Sequence, residues 1–355
     1  MPSEPRVTLQ ELVENGHLDT VPEDFLVAEK DRVKLTEDGA AKVELPVIDM
    51  AGVEHGVVVE QIRRACEQWG FFQVKNHGVD LQLMSRTQQV FREFFELPYE
   101  DRNKIRAVAE HDALPDEGYG DRFGVKESNS ANWSDRLRLY TFPVSGRRYE
   151  LWPQHPPSFR DTVEDYCEEA DKLTSRISEL ISESLGLEPE FLNDYFAGRS
   201  QQVLQVNYYP PCPQPDVTMG LRKHSDNNSI TLLLQDATVG LQVKKDDQWV
   251  TVKPVEGWFV VNVGDQIEIL SNGRYRSVEH RAFVSAKPRM SIATFSAPAD
   301  DTVVGPIPEL LRRAEERPRF RAIKFSKFKK SFYYAGWAKA PSGKDHLGHL
   351  LIDQD

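Results

Sequence analysis

Two histidines and an aspartate carry the most specific chemistry in the sequence. His224 and Asp226 stand two positions apart in Lys223-His-Ser-Asp-Asn227, and His280 follows in Ser277-Val-Glu-His-Arg281. Two imidazoles and a carboxylate are the ligand set that holds non-haem Fe(II) on one face of an octahedron and leaves the opposite face open. On extended backbone, residues two apart point the same way, so His224 and Asp226 can grip one ion while His280 reaches in from a neighbouring strand. An H-x-D pair alone arises by chance, and a lone histidine is more often a surface or core residue. The pattern gains weight from its company.

Nine residues past His280 comes Arg289-Met-Ser291, again two positions apart on strand-like sequence. A planar guanidinium grips a carboxylate through two parallel hydrogen bonds, and a hydroxyl beside it adds a third. Phe295 shares the same parity, where its ring can lie against a flat organic molecule. In isolation Arg289 reads as a surface ion pair and Phe295 as core filler.

These residues need strands to position them. From Val203 onward the chain breaks into short β-rich runs (203–209, 230–234, 248–252, 258–263, 281–285 and 290–296) separated by Gly, Asp and Asn turns, the texture of a jelly-roll sandwich or small barrel. Before them, Phe159, Val163, Tyr166, Ala170, Leu173, Ile177, Leu180 and Ile181 keep helical spacing up to Gly186, a helix long enough to back a sheet. Helical patterns at 58–69 and 81–95 flank a strand at 71–74, and Leu45-Pro-Val-Ile-Asp49 reads as the first strand and the start of ordered structure. Upstream lies only one amphipathic stretch, around Val7 to Val13. The segment 101–157, rich in Gly, Pro, Asp and Asn, reads as long loops with a strand at 137–142. The resulting division is an N-terminal extension (1–44), a helix and strand region (45–157), a long helical segment (158–200), a catalytic jelly roll (201–300) and a C-terminal helix and tail (301–355).

Composition narrows the partners. The chain has 355 residues, and 44 Lys+Arg against 56 Asp+Glu give a net charge of −12, which repels phosphate backbones and anionic lipids. No apolar run approaches a membrane span, and the N-terminus lacks the features of a secretory or transit leader, so a cytoplasmic monomer acting on a small molecule is expected. Cys66, Cys167 and Cys212 are odd in number and widely spaced, and are expected as reduced thiols. There is no P-loop and no G-x-G-x-x-G motif to suggest a nucleotide.

Several motifs then occur in one order: Leu45-Pro-Val-Ile-Asp49, Trp69-Gly-Phe-Phe-Gln-Val-Lys-Asn-His-Gly78, Asn207-Tyr-Tyr-Pro-Pro-Cys-Pro-Gln-Pro215, the H-x-D with its distant His, Gly264-Asp-Gln-Ile-Glu-Ile-Leu-Ser-Asn-Gly273 and the R-x-S. Together they resemble the plant 2-oxoglutarate/Fe(II)-dependent dioxygenases of specialised metabolism, over roughly residues 45 to 335. The resemblance implies a mainly β fold with helices, a distorted double-stranded β-helix (jelly roll) with helices packed outside. It also implies Fe(II) on His224, Asp226 and His280, and 2-oxoglutarate held by Arg289, Ser291 and Tyr209 with Asn207 close by. Phe295, Asn227, Gln205 and Arg138 are the implied substrate contacts, O₂ the oxidant and ascorbate a supporting reductant. The implied reaction decarboxylates 2-oxoglutarate to succinate and CO₂ while hydrogen leaves a substrate C–H bond, giving an alcohol or an alkene. His77 falls in a structural signature and is not counted as a ligand.

Ile292-Ala-Thr-Phe-Ser296 resembles the flavonoid branch, which points to an aromatic substrate, first a flavanone oxidised to a flavone or 2-hydroxyflavanone. Hydroxylation or demethylation of another aromatic metabolite or hormone stands behind it. Ala297, where several flavonoid oxidases carry an acid or amide, and Arg136 and Arg138, where aromatics are common, depart from that branch. A non-catalytic binding protein on the same fold is the rival from another class. The basic stretch from Arg319 to Tyr334 spaces Phe325, Phe328 and Phe332 as a helix would, and reads as a capping helix with a solvated basic face rather than a nucleic-acid or membrane surface.

Overall fold

The structure is a computed structural model, and it describes residues 8–16, 18–33, 44–106, 117–120, 131–196, 200–331 and 345–352. Twelve of its strands build the site: β1 (Val47–Asp49), β2 (Phe71–Lys75), β3 (Gly118–Gly120), β4 (Asp135–Phe142), β5 (Ser200–Tyr209), β6 (Leu221–His224), β7 (Ile230–Gln235), β8 (Leu241–Lys245), β9 (Gln248–Thr251), β10 (Phe259–Val263), β11 (His280–Ala282) and β12 (Arg289–Pro298). Eight form one sheet in the order β1-β2-β10-β7-β12-β5-β4-β3, and four form a second, β6-β11-β8-β9. All the pairings in these two sheets are antiparallel except β1 with β2. This is the jelly-roll architecture that the β-rich texture predicts.

Each sheet is amphipathic in period two, but the large sheet has an unusual inner face. Its outward residues, including Leu204, Val206, Leu232, Val261 and Ile292, join the main hydrophobic core with the long helix Phe159–Ser184. All eight apolar positions expected on that helix are buried, so its register on the sheet is set by hydrophobic spacing. Leu241, Val243 and Val250 of the small sheet, with Val252 just past β9, pack against Phe71 and Val260 of the large one and close one end of the sandwich. The remaining inner face is polar, and that is where chemistry is possible.

The helices at Leu81–Phe95 and His55–Gln68 lie where their apolar periodicity puts them. Asp80 caps the first, accepting from the amides of Gln82 and Leu83 at 3.0 and 3.1 Å. β6 and β8 go beyond the strands that the sequence predicts, because they are short and mixed in composition, and the strand expected at 281–285 is confined to 280–282.

Order does not begin at Leu45. Leu9–Asn15 is a helix whose first amides, of Leu9 and Gln10, donate to the buried carboxylate of Asp135 at 3.3 and 2.7 Å. Glu14 on this helix pairs with the fully buried guanidinium of Arg102 at 2.7 Å. Residues 18–33 continue across the 210–219 loop, where Val27 donates to the Val217 carbonyl and Phe25 meets Trp133 edge-on. Short apolar residues scattered among charges hide this docking in the sequence. Val7, parts of the 101–157 region, and Phe332 to Tyr334 lie outside the described residues; Phe325 and Phe328 are buried on the helix Phe325–Ser331. Among the described residues, no helix is long and apolar enough to cross a membrane.

Candidate metal and cosubstrate site

His224 ends β6 and faces His280, the first residue of β11, across the ladder. The strand stops at His224, so Asp226 joins them from the following loop rather than by strand parity. Its Oδ1 lies 3.7 Å from His224 Nε2 and 3.6 Å from His280 Nε2, and one ligand atom of each residue falls within 4.8 Å of the others. His224 Nδ1 is 2.8 Å from the Arg222 carbonyl and His280 Nδ1 is 3.2 Å from that of Val278. A carbonyl only accepts, so each Nδ1 carries a proton, and in a neutral ring that leaves the lone pair on Nε2 for a metal.

Electrostatics favours the same state. Burial and the neighbouring His280 bring the His224 imidazole down to about 4, so it is neutral near pH 7. Burial alone would raise the Asp226 carboxyl; the two imidazoles, with hydrogen bonds from Asn262 and Thr231, bring it below its usual value. Phe71 meets the His280 ring edge-on, with centroids 5.1 Å apart. The loop carrying Asp226 lies against Gly264, where a Cβ would overlap the Asn228 carbonyl oxygen.

The β5–β12 register places Tyr209 opposite Arg289, Asn207 opposite Ser291, Gln205 opposite Ala293 and Val203 opposite Phe295, all on the inner face. The Arg289 guanidinium is buried, 4.9 Å from the centre of the Tyr209 ring, and Nη2 donates to Gln235 Oε1 at 3.0 Å. Its Nε and Nη1 are buried with no hydrogen-bond partner among the described residues. Two buried, orphaned guanidinium donors are costly unless an anion accepts from them, and a dicarboxylate fits that demand. The charges would also close: Fe(II) with one Asp carboxylate would be +1, a 2-oxoglutarate dianion would bring it to −1, and Arg289 would neutralise the remainder. Gly240 makes room for this side chain, since a Cβ there would press on Arg289 Cδ and Nε.

β4 extends the face. Arg136 pairs with Asn207 and Arg138 with Gln205, and both guanidiniums donate to Gln205 Oε1, at 3.2 and 3.0 Å. Gln205 in turn donates to Asn207 Oδ1 at 2.9 Å, and Arg138 lies 5.9 Å from the Phe295 ring centre. Asn227 sits beyond Asp226, tied down by its carbonyl, which accepts from Gln266 Nε2. His77 stands apart, with Nε2 on the Gly257 carbonyl at 2.9 Å and Nδ1 accepting from the Val79 amide. Gln235, Phe71, Thr231 and Asn262 escape sequence reading; cross-strand register alone brings them in.

Comparison with known proteins agrees with this geometry. Residues 200–298 match the 2OG-Fe(II) oxygenase superfamily, and 45–157 match the N-terminal region described as non-haem dioxygenase in morphine synthesis. Jasmonate-induced oxygenase 4 of Arabidopsis thaliana is 42% identical over 359 residues, covering 98% of each chain. Flavanone 3-dioxygenase 2 of Oryza sativa subsp. japonica is 39% identical over 318 residues, covering 89% of this chain and 91% of that one. A solved structure of JOX2 in complex with 2OG, Fe and JA superposes with a TM-score of 0.88 at 36% identity, covering 99% of each chain. When bound, iron supplies the O₂ chemistry that couples 2-oxoglutarate decarboxylation to substrate oxidation; the chain brings together two imidazoles, one carboxylate and a buried guanidinium. With the triad, the buried arginine and the full-length likeness in agreement, this chain belongs to the 2OG-Fe(II) oxygenase superfamily and is an Fe(II)- and 2-oxoglutarate-dependent oxygenase.

Proposed function

We propose that the enzyme oxygenates a small, largely apolar molecule carrying a carboxylate, with 2-oxoglutarate held by Arg289, Ser291 and Tyr209 and the substrate carboxylate received by Arg136 and Arg138. The observation that carries this reading is the pair of buried guanidiniums on the inner face, converging on one amide oxygen beside Phe295. Side by side they form a fork-shaped receptor for an anion, while Phe295 and the neighbouring Tyr140 offer apolar surface to the rest of the molecule. The solved neighbour JOX2 is in complex with 2OG, Fe and JA, and the relatives include jasmonate-induced oxygenases, which supports jasmonate as one candidate.

A flavanone is the second reading, favoured by the Phe295 ring and by the rice flavanone 3-dioxygenase relative. The test incubates protein, Fe(II), ascorbate, 2-oxoglutarate and O₂ separately with small carboxylic acids, jasmonate included, and with flavanones, reading succinate and product mass. Acids turned over by the wild type and lost in Arg138→Gln, with 2-oxoglutarate affinity intact, support the first reading. Flavanone turnover indifferent to that substitution but weakened by Phe295→Ala supports the second.

A further inference from the structure

Asp226 has two oxygens, and the fold treats them differently. Oδ1 faces both imidazole Nε2 atoms. Oδ2 accepts from the Thr231 hydroxyl at 2.6 Å and from Asn262 Nδ2 at 2.8 Å. Both donors are buried, each about 3% exposed. Asn228 Nδ2 donates to Thr231 Oγ1 at 3.1 Å, and the hydroxyl's other acceptor, Asn228 Oδ1, is farther at 3.4 Å, so the carboxylate is the closer acceptor of its proton.

Their positions are not accidental to the loop. Asn262 lies opposite Thr231 in the β10–β7 ladder, Phe71 opposite Asn262 in β2–β10, and Thr231 opposite Phe295 in β7–β12. Phe71, Asn262, Thr231 and Phe295 thus form one transverse row across four strands of the inner face. The first ring meets His280 edge-on and the two middle side chains hold Asp226, so ligands borne by the small sheet and its loop are aimed from the large one.

We infer that Thr231 and Asn262 are positioning residues that make Asp226 a one-oxygen ligand. Two strong donors occupy Oδ2 and prevent the carboxylate from turning both oxygens onto the metal. A carboxylate free to bind through both oxygens would fill one of the positions that 2-oxoglutarate and O₂ need. The clamp therefore protects the number of open positions as well as ligand orientation, and removal of such outer hydrogen bonds typically weakens metal binding about 10- to 100-fold.

The experiment uses the full chain stripped of metal and titrated with Co(II), whose visible absorption reports coordination number independently of turnover. Thr231→Val keeps the side-chain volume and removes the donor; it should weaken Co(II) binding about 10- to 100-fold and shift the visible band. Asn262→Ala should act in the same direction, and Thr231→Ser should restore both readouts. Circular dichroism establishes that each variant is folded, and if Asn262→Ala is not, the Thr231 pair decides. Wild-type affinity and an unchanged band in folded Thr231→Val, or a Thr231→Ser as impaired as Thr231→Val, would overturn the clamp.

Discussion

Arg289 stands directly opposite Tyr209 in the β5–β12 ladder, its guanidinium 4.9 Å from the ring centre. The ring lies beside the planar fork while Gln235 holds Nη2, which leaves Nε and Nη1 buried without a hydrogen-bond partner among the described residues. Arg289→Lys keeps the charge but replaces a planar fork with a point donor. Losing a charge-assisted hydrogen bond of about 1.5–3 kcal/mol should raise the apparent constant for 2-oxoglutarate about 10- to 150-fold. Succinate formation against 2-oxoglutarate concentration measures it, and an unchanged dependence would exclude the anchor.

His280→Ala should lose bound iron and turnover together while the protein stays folded, because the main hydrophobic core lies on the other face of the large sheet. Metal content after gel filtration, read beside the circular dichroism spectrum, checks this. A variant that keeps stoichiometric iron would remove His280 from the ligand set.

Gly264 has ordinary dihedrals, φ −97° and ψ −176°, so its requirement is space rather than conformation. In Gly264→Ala the added methyl meets the Asn228 carbonyl and crowds that of Asp226. Overpacking of this kind costs about 1–3 kcal/mol, and at this chain length each kcal/mol lowers Tm by about 1–2 °C. Both Tm and metal affinity should fall, since the displaced loop carries a ligand; a fall in Tm alone would show that the loop absorbs the methyl without moving Asp226.

Burial holds His77 below its ordinary value of 6.5. The folded state therefore binds fewer protons than the unfolded one as pH drops through about 6.5, and stability must fall with falling pH in that window. Protonation also removes the Nδ1 acceptor from the Val79 amide. His77→Gln should flatten part of the decline in urea-unfolding free energy between pH 7 and 5. Parallel curves for variant and wild type would show that His77 does not titrate on unfolding.

The parts of this site that lie close together along the chain are legible from residue order alone. His224 and Asp226, or Arg289 and Ser291, announce themselves by residue type and a two-residue step. Gln205 and Arg138 stand out as candidate substrate contacts, but their shared hydrogen bond does not, because it depends on β4 pairing with β5 across an intervening long helix. Thr231 and Asn262 carry no local signal, being an ordinary strand threonine and an asparagine in an apolar run. The N-terminal docking is hidden for a similar reason: the partner of the Leu9 and Gln10 amides is Asp135, far along the chain.

The transverse row of Phe71, Asn262, Thr231 and Phe295 turns the inner face into a grid. One axis is counted in strands about 4.8 Å apart, the other in residue pairs of about 6.8 Å. Ligand aiming occupies one line of that grid, whereas Arg136, Arg138, Gln205 and Ala293 occupy crossings away from it. On the proposed placement of the substrate, substitutions at those crossings would redraw the outline of the bound molecule and leave the metal ligands in place. A one-residue slip of β7 against β12, by contrast, would turn Thr231 outward and dismantle ligand aiming and substrate surface together. A scaffold with that division can diversify in what it accepts and still keep a single oxidative chemistry.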